Sequence, residues 1–277
     1  MLRASAFALF AVLAAAPAKS TWVVPNFHDL MIKTRETRGL SHPMVAAWYF
    51  KGPRQRAEHL SESSLNRLPF VASIMQCDLR TRIFLQEHMK TYTSFVVPVE
   101  EKERTRLHPL PPKPPTGPEV TVTSDSVDTG ERRQIGSYEA HRIKTTITIE
   151  PGKDAATKPG KVEIDGWYLD LPGLNCGEDS ARENFPPVAE WMVLVRGAAH
   201  DHLIFKNLGT PPRGLVVDES STQRQAGNTI VNKIELLEAS DQLLDESLFE
   251  VPPDYVPREK PESHTLQKIP DPNAPQP

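Results

Sequence analysis

Few residues in this chain have the type and spacing that chemistry needs. His200-Asp201-His202 would set two imidazoles on one face of a strand, which suits two ligands of a divalent metal. No third ligand lies nearby in the sequence, and the tripeptide reads more simply as a polar loop before a strand. Glu163 and Asp165 also share a face, as a general acid/base pair would. Two acids on a solvated face are the commoner case. Lys51, Arg54 and Arg56 form a basic stripe able to grip a phosphate or a lipid headgroup, or an outward polar rim that pairs with Glu58. Cys77 and Cys176 are the two cysteines. In an oxidising compartment they can bridge, closing a loop of about a hundred residues worth about 4–5 kcal/mol in the chain-entropy model, or they can stand as two thiols.

Nothing in the sequence joins these groups into a catalytic centre. It has no Gly-x-Ser-x-Gly elbow, phosphate-binding loop, dinucleotide fingerprint, His-Glu-x-x-His or Cys-x-x-Cys. The expectation is therefore a protein that is not an enzyme and needs no cofactor or metal. Trp48-Tyr49-Phe50 offers something else. Strand alternation sends Trp48 and Phe50 to one face and Tyr49 to the other. With Trp167 and Trp191 they are candidates to line an apolar ligand site, and ordinary core packing is the simpler use of such aromatics.

These residues need elements to position them. Runs at Asn26–Glu36, Met44–Lys51, Arg54–Leu60, Phe70–Cys77, Arg80–Gln86 and Lys90–Val97 alternate or are rich in strand formers. Tight turns join several of them, which predicts a meander. Glu119–Thr123 and Glu131–Ile135 bracket Ser124–Gly130, which reads as a hairpin. Tyr138–Glu150 and Lys161–Leu171 follow, then His202–Lys206, Gly214–Glu219 and Asn228–Leu237. Val188–Arg196 has near-helical apolar spacing, and Ser240–Glu246 reads as a short helical turn. The sum is a mainly β chain with a broad antiparallel sheet and a few short helices.

Residues 1–18 have the parts of an export signal. Arg3 precedes an apolar run from Ala4 to Ala16, and Ala16-Pro17-Ala18 is a small-x-small cleavage site. The mature product is expected to be exported, periplasmic in a diderm host, without a membrane span. A net charge of -4 argues against nucleic acid as a partner. Residues 19–255 form the single expected domain, with a Pro-rich insertion at 98–118. The Pro-rich tail 256–277 is expected to be disordered. The proline segments could serve as connectors or as docking motifs for proteins of the cell envelope.

Several stretches together resemble a family: an export signal, WYFKGPRQRAE, ERRQIGSYEAHRIKTTITI, DGWYLDLP and the closing LFEVPPDY. The chain is similar over residues 26–255 to exported bacterial proteins related to the outer-membrane lipoprotein carriers of the LolA type. That resemblance implies an unclosed antiparallel half-barrel curved over short helices. It also implies a concave apolar face holding a lipid or a lipidated partner, with the Val188–Arg196 helix as plug or lid.

Overall fold

Alternating strands joined by tight turns dominate the computed structural model, which describes residues 23–39, 43–61, 71–97, 117–176 and 201–258. Six strands come first: β1 Phe27–Arg38, β2 Met44–Gly52, β3 Arg54–Ser61, β4 Val71–Gln76, β5 Thr81–Gln86 and β6 Thr91–Val96. Then come β7 Glu119–Ile135, β8 Tyr138–Pro151, β9 Gly160–Leu169, β10 His202–Gly209, β11 Leu215–Gln225, β12 Asn228–Ser240 and β13 Val256–Pro257. They form one unclosed 13-stranded sheet in the order β10-β7-β8-β9-β11-β12-β1-β2-β3-β4-β5-β6-β13. Pairing is antiparallel except at the two ends, where β10 joins β7 and β13 joins β6 in parallel. No helix among the described residues is long and apolar enough to cross a membrane.

The sheet curls strongly. On a flat sheet β8 and β1 would lie four strand spacings apart, about 19 Å. Yet the backbone N–H of His28, in β1, donates to Tyr138 Oη, in β8, at 2.9 Å. Phe27, Leu30 and Phe50 accordingly share one buried cluster with Ile135, Ala140, Leu169 and Leu215. A second cluster joins Val120 and Val122 of β7 to Ile147, Ile149, Val162 and Ile164 of β8 and β9.

The outer face of β2–β6 is covered by a strap that follows β12. It includes a 3-10 turn at Glu246–Phe249, opened by Asp245, whose carboxylate accepts from Ser247 N at 2.8 Å. Phe249 is 1% exposed among Ala72, Ile74, Ile83 and Leu85, with Tyr49, Leu248, Val251 and Tyr255 around it. Polar side chains of the sheet hold the strap by its backbone. Lys51 Nζ donates to Leu244 O at 2.6 Å, Arg56 to Leu248 O at 2.9 Å and Gln76 to Phe249 O at 2.9 Å. Asp29 accepts from Leu244 N at 2.7 Å.

Three expectations are corrected. Ser124–Gly130 is no hairpin: β7 runs unbroken beside β8, with a bulge between Asp128 and Arg132. The turn-like residues serve that bulge. Gly130 takes a left-handed φ of 79°, and Asp128 Oδ1 accepts from Gly130 N at 2.8 Å. The helical turn lies at Glu246–Phe249 rather than Ser240–Glu246, because Phe249 has an apolar pocket to fill. The tail does not begin at 256: Val256 and Pro257 pair with Thr91 and Tyr92. The leader at 1–18, most of the insertion 98–118, the helix at Val188–Arg196 and the tail beyond Arg258 lie outside the described residues.

The strap makes a direct prediction. Phe249→Ala should lower unfolding stability by about 3–5 kcal/mol, as for other buried aromatics. Leu243→Ala, at a residue 91% exposed in the same strap, should stay within about 0.5 kcal/mol of the parent. Urea unfolding midpoints would check both.

Candidate ligand-binding cavity

The pairing register of β2 to β5 builds the site. The turn at Gly52-Pro53 sets Gln55 opposite Phe50 and Ala57 opposite Trp48. The strands β3 to β5 carry the two rows onward. One row is Phe50, Gln55, Met75 and Arg82; the other is Trp48, Ala57, Ser73 and Phe84. All eight residues line a cavity of about 260 Å³ on the inner face. The second row explains the hollow: two small residues, Ala57 and Ser73, stand between two large aromatics. Leu174, Asn175 and Leu215 complete the wall from the other limb of the sheet.

The segment bearing Leu174 and Asn175 is firmly anchored. Cys176 is disulfide-bonded to Cys77, with Cα atoms 5.4 Å apart and both cysteines fully buried. Met75 and Val97 pack beside the bridge. Gln55, 6% exposed, forms the other anchor. Its Oε1 accepts from Asn175 N at 2.9 Å, and its Nε2 donates to Gly173 O at 3.5 Å. Asn175 and Cys176 both take left-handed φ values, 49° and 57°. Such residues cost about 1–3 kcal/mol each and persist where their surroundings fix them. Here the bridge and the Gln55 bonds do so.

The expected site residues divide clearly. Trp48 and Phe50 line the cavity. Trp167 lies elsewhere, packed against the first core cluster, with the Arg133 guanidinium 4.6 Å from its ring centroid. Trp191 lies outside the described residues. Arg54 pairs with Asp78 at 3.2 Å and with Glu250. Arg56 borders the cavity only through its strand, because its guanidinium turns to the opposite face, to Glu58 at 2.6 Å and Leu248 O. The basic stripe is thus the seat of the strap. Gln55, Ala57, Ser73, Met75, Arg82 and Phe84 were not singled out from sequence. Counting across the Gly52-Pro53 turn from Trp48 and Phe50 would have found Gln55 and Ala57; Ser73, Met75, Arg82 and Phe84 lie beyond the longer connection 62–70, which gives no register. Leu174, Asn175 and Leu215 leave no such signal, because only the curl brings them in.

The other groups with chemical potential are occupied by structure. Glu163 is held by Lys161 at 2.8 Å and by Arg224, which together keep its carboxyl at about 2. Asp165 accepts a bidentate pair from Arg142 at 2.7 Å, and its carboxyl also lies below the usual range. Neither carries an exchangeable proton near neutrality. Asp201 is buried and accepts from Ala156 N, Thr157 N and Thr157 Oγ1. His200 lies outside the described residues, and among the described residues no group of three His, Cys, Asp or Glu could hold a metal. No protein-family model matches the chain, and no curated protein matches it.

The anchors and the ion pairs each predict a measurement. Replacing both cysteines by serine should cost about 2–5 kcal/mol of unfolding free energy, read from guanidinium titration. Stability should also fall in acid. Glu163 has an ordinary value of 4.5 and a folded value of about 2, so its stabilisation is complete above the ordinary value and is lost as pH falls towards 2. Glu163→Gln should flatten that acid limb in a pH series of thermal melts.

Proposed function

We propose that this chain is an exported, non-catalytic binding protein that holds an apolar or lipidated ligand on the inner face of its curled sheet. One observation carries the reading: the cavity between Trp48 and Phe84, hollowed by Ala57 and Ser73 and walled from the far limb by an anchored segment. Its wall sets Trp48, Phe50, Phe84 and Leu174 beside the polar Gln55, Ser73 and Asn175, so it combines apolar surface with hydrogen-bonding groups. Its volume of about 260 Å³ falls just under the range of about 300–1,000 Å³ typical of drug-sized ligands. That size suits one hydrocarbon chain or one bulky apolar group rather than a whole membrane lipid.

The compartment follows from the same features. A buried disulfide supports an oxidising, extracytoplasmic setting, in line with the leader-like residues 1–18. The unclosed curved sheet suits the lipoprotein-carrier resemblance, in which the concave face is the binding face.

Native mass spectrometry of protein purified without detergent should show a bound amphiphile. Ala57→Phe, which fills the hollow, should lose it while keeping the thermal midpoint within a few degrees. A ligand retained equally by Ala57→Phe would place binding elsewhere, and a parent protein that takes up no amphiphile would contradict the reading.

A further inference from the structure

We infer that the outer edge of β6 is a strand-acceptor site, and that the chain's own residues Glu259 to Glu262 fill it by extending β13. A strand edge presents a row of N–H and C=O groups that a further strand can take up. In β6 those groups belong to alternate residues. Val97 N donates to Arg80 O at 2.8 Å, so the odd-numbered residues face β5. Tyr92, Ser94 and Val96 therefore point their backbone groups the other way. Among the described residues β13 meets β6 at Thr91 and Tyr92 alone. Just past that pairing, Phe95 is 42% exposed and Val96 66% exposed.

The chain itself starts down this edge in a fixed register. Val256 N donates to Lys90 O at 3.0 Å, and Arg258 N donates to Tyr92 O at 2.8 Å. Lys90 pins the start: its Nζ lies 3.3 Å from an Asp254 carboxylate oxygen and 4.9 Å from the Tyr255 ring centroid. Parallel pairing repeats every two residues. The next donors in phase are thus Lys260 N, towards Ser94 O, and Glu262 N, towards Val96 O. Val96 N in turn meets Lys260 O. Glu259 to Glu262 follow Arg258 directly in sequence and lie outside the described residues. A segment already attached in register needs no bimolecular encounter, which favours it over a second copy.

The proline pattern fits that register. Pro257 sits in β13 at the phase whose nitrogen points away from β6. Pro261 is four residues on, at the same phase, while Lys260 and Glu262 keep the N–H groups that the ladder needs. The same count sets Pro261 beside Val96 on one face and Lys260 beside Phe95 on the other. A proline ring then covers the exposed valine, and an ammonium group comes to the phenyl ring. Pro257, Glu259 and Pro261 would form the new outer edge. Two of these three have no N–H, so the sheet ends there.

Hydrogen exchange at the Val96 amide, read by NMR, tests this on the full chain against a chain ending at Arg258. The amide should exchange about tenfold more slowly in the full chain, at every protein concentration. Lys260→Pro removes a ladder N–H and should speed exchange as the truncation does. Glu259→Pro, at the outward phase, should leave it slow. Equal exchange in the full and shortened chains, or equal effects of the two proline variants, would overturn the inference. Protection that grows with protein concentration would also overturn it and give the edge to a second copy. Should the shortened chain fail to fold, the two proline variants of the full chain still decide.

Discussion

The bridge between Cys77 and Cys176 is the constraint on which the rest depends. Six strand spacings separate β4 from β9 along the sheet, about 29 Å if it were flat. The turn after β4 and the segment after β9 nonetheless meet with Cα atoms 5.4 Å apart. A sheet with only one inner face has to bury that face against itself, and this tie holds the two limbs at the required distance. The first core cluster, the Tyr138 bond to His28 and the Gln55 anchor all belong to the same closure. The cavity is the space that closure leaves where Ala57 and Ser73 are too small to fill it.

The two faces of β2–β5 divide the work. Outside, Lys51, Arg56 and Gln76 donate to strap carbonyls, and Phe249 fills the apolar gap between them. Each such bond adds about 1 kcal/mol net, but leaving its buried partner unpaired would cost more. Inside, the same strands offer aromatics, two small residues and one inward arginine. Strict alternation keeps these roles apart: Tyr49 and Arg56 belong to the strap, while Trp48, Ala57 and Phe84 belong to the cavity.

Most of the strands were legible because period-two patterning and tight turns are local signals. Trp48 and Phe50 were correctly assigned to one face for that reason. What was missed depended on distant partners. The Ser124–Gly130 turn signal was real chemistry, but a long partner strand converted it into a bulge. Arg54 and Arg56 looked like a ligand rim because the strap that engages them lies almost two hundred residues further along the chain. The cysteine pairing could only be posed as two alternatives, since bridging requires a distance that sequence does not contain.

The central claim is that the curled sheet leaves a ligand-accessible hollow between Trp48, Ala57 and Phe84. A crystal structure of the protein under xenon pressure tests it most directly, because xenon enters dry apolar cavities. The account predicts xenon bound among those three side chains beneath Leu174. A hollow closed by its own side chains, or filled by ordered water with no xenon, would contradict it.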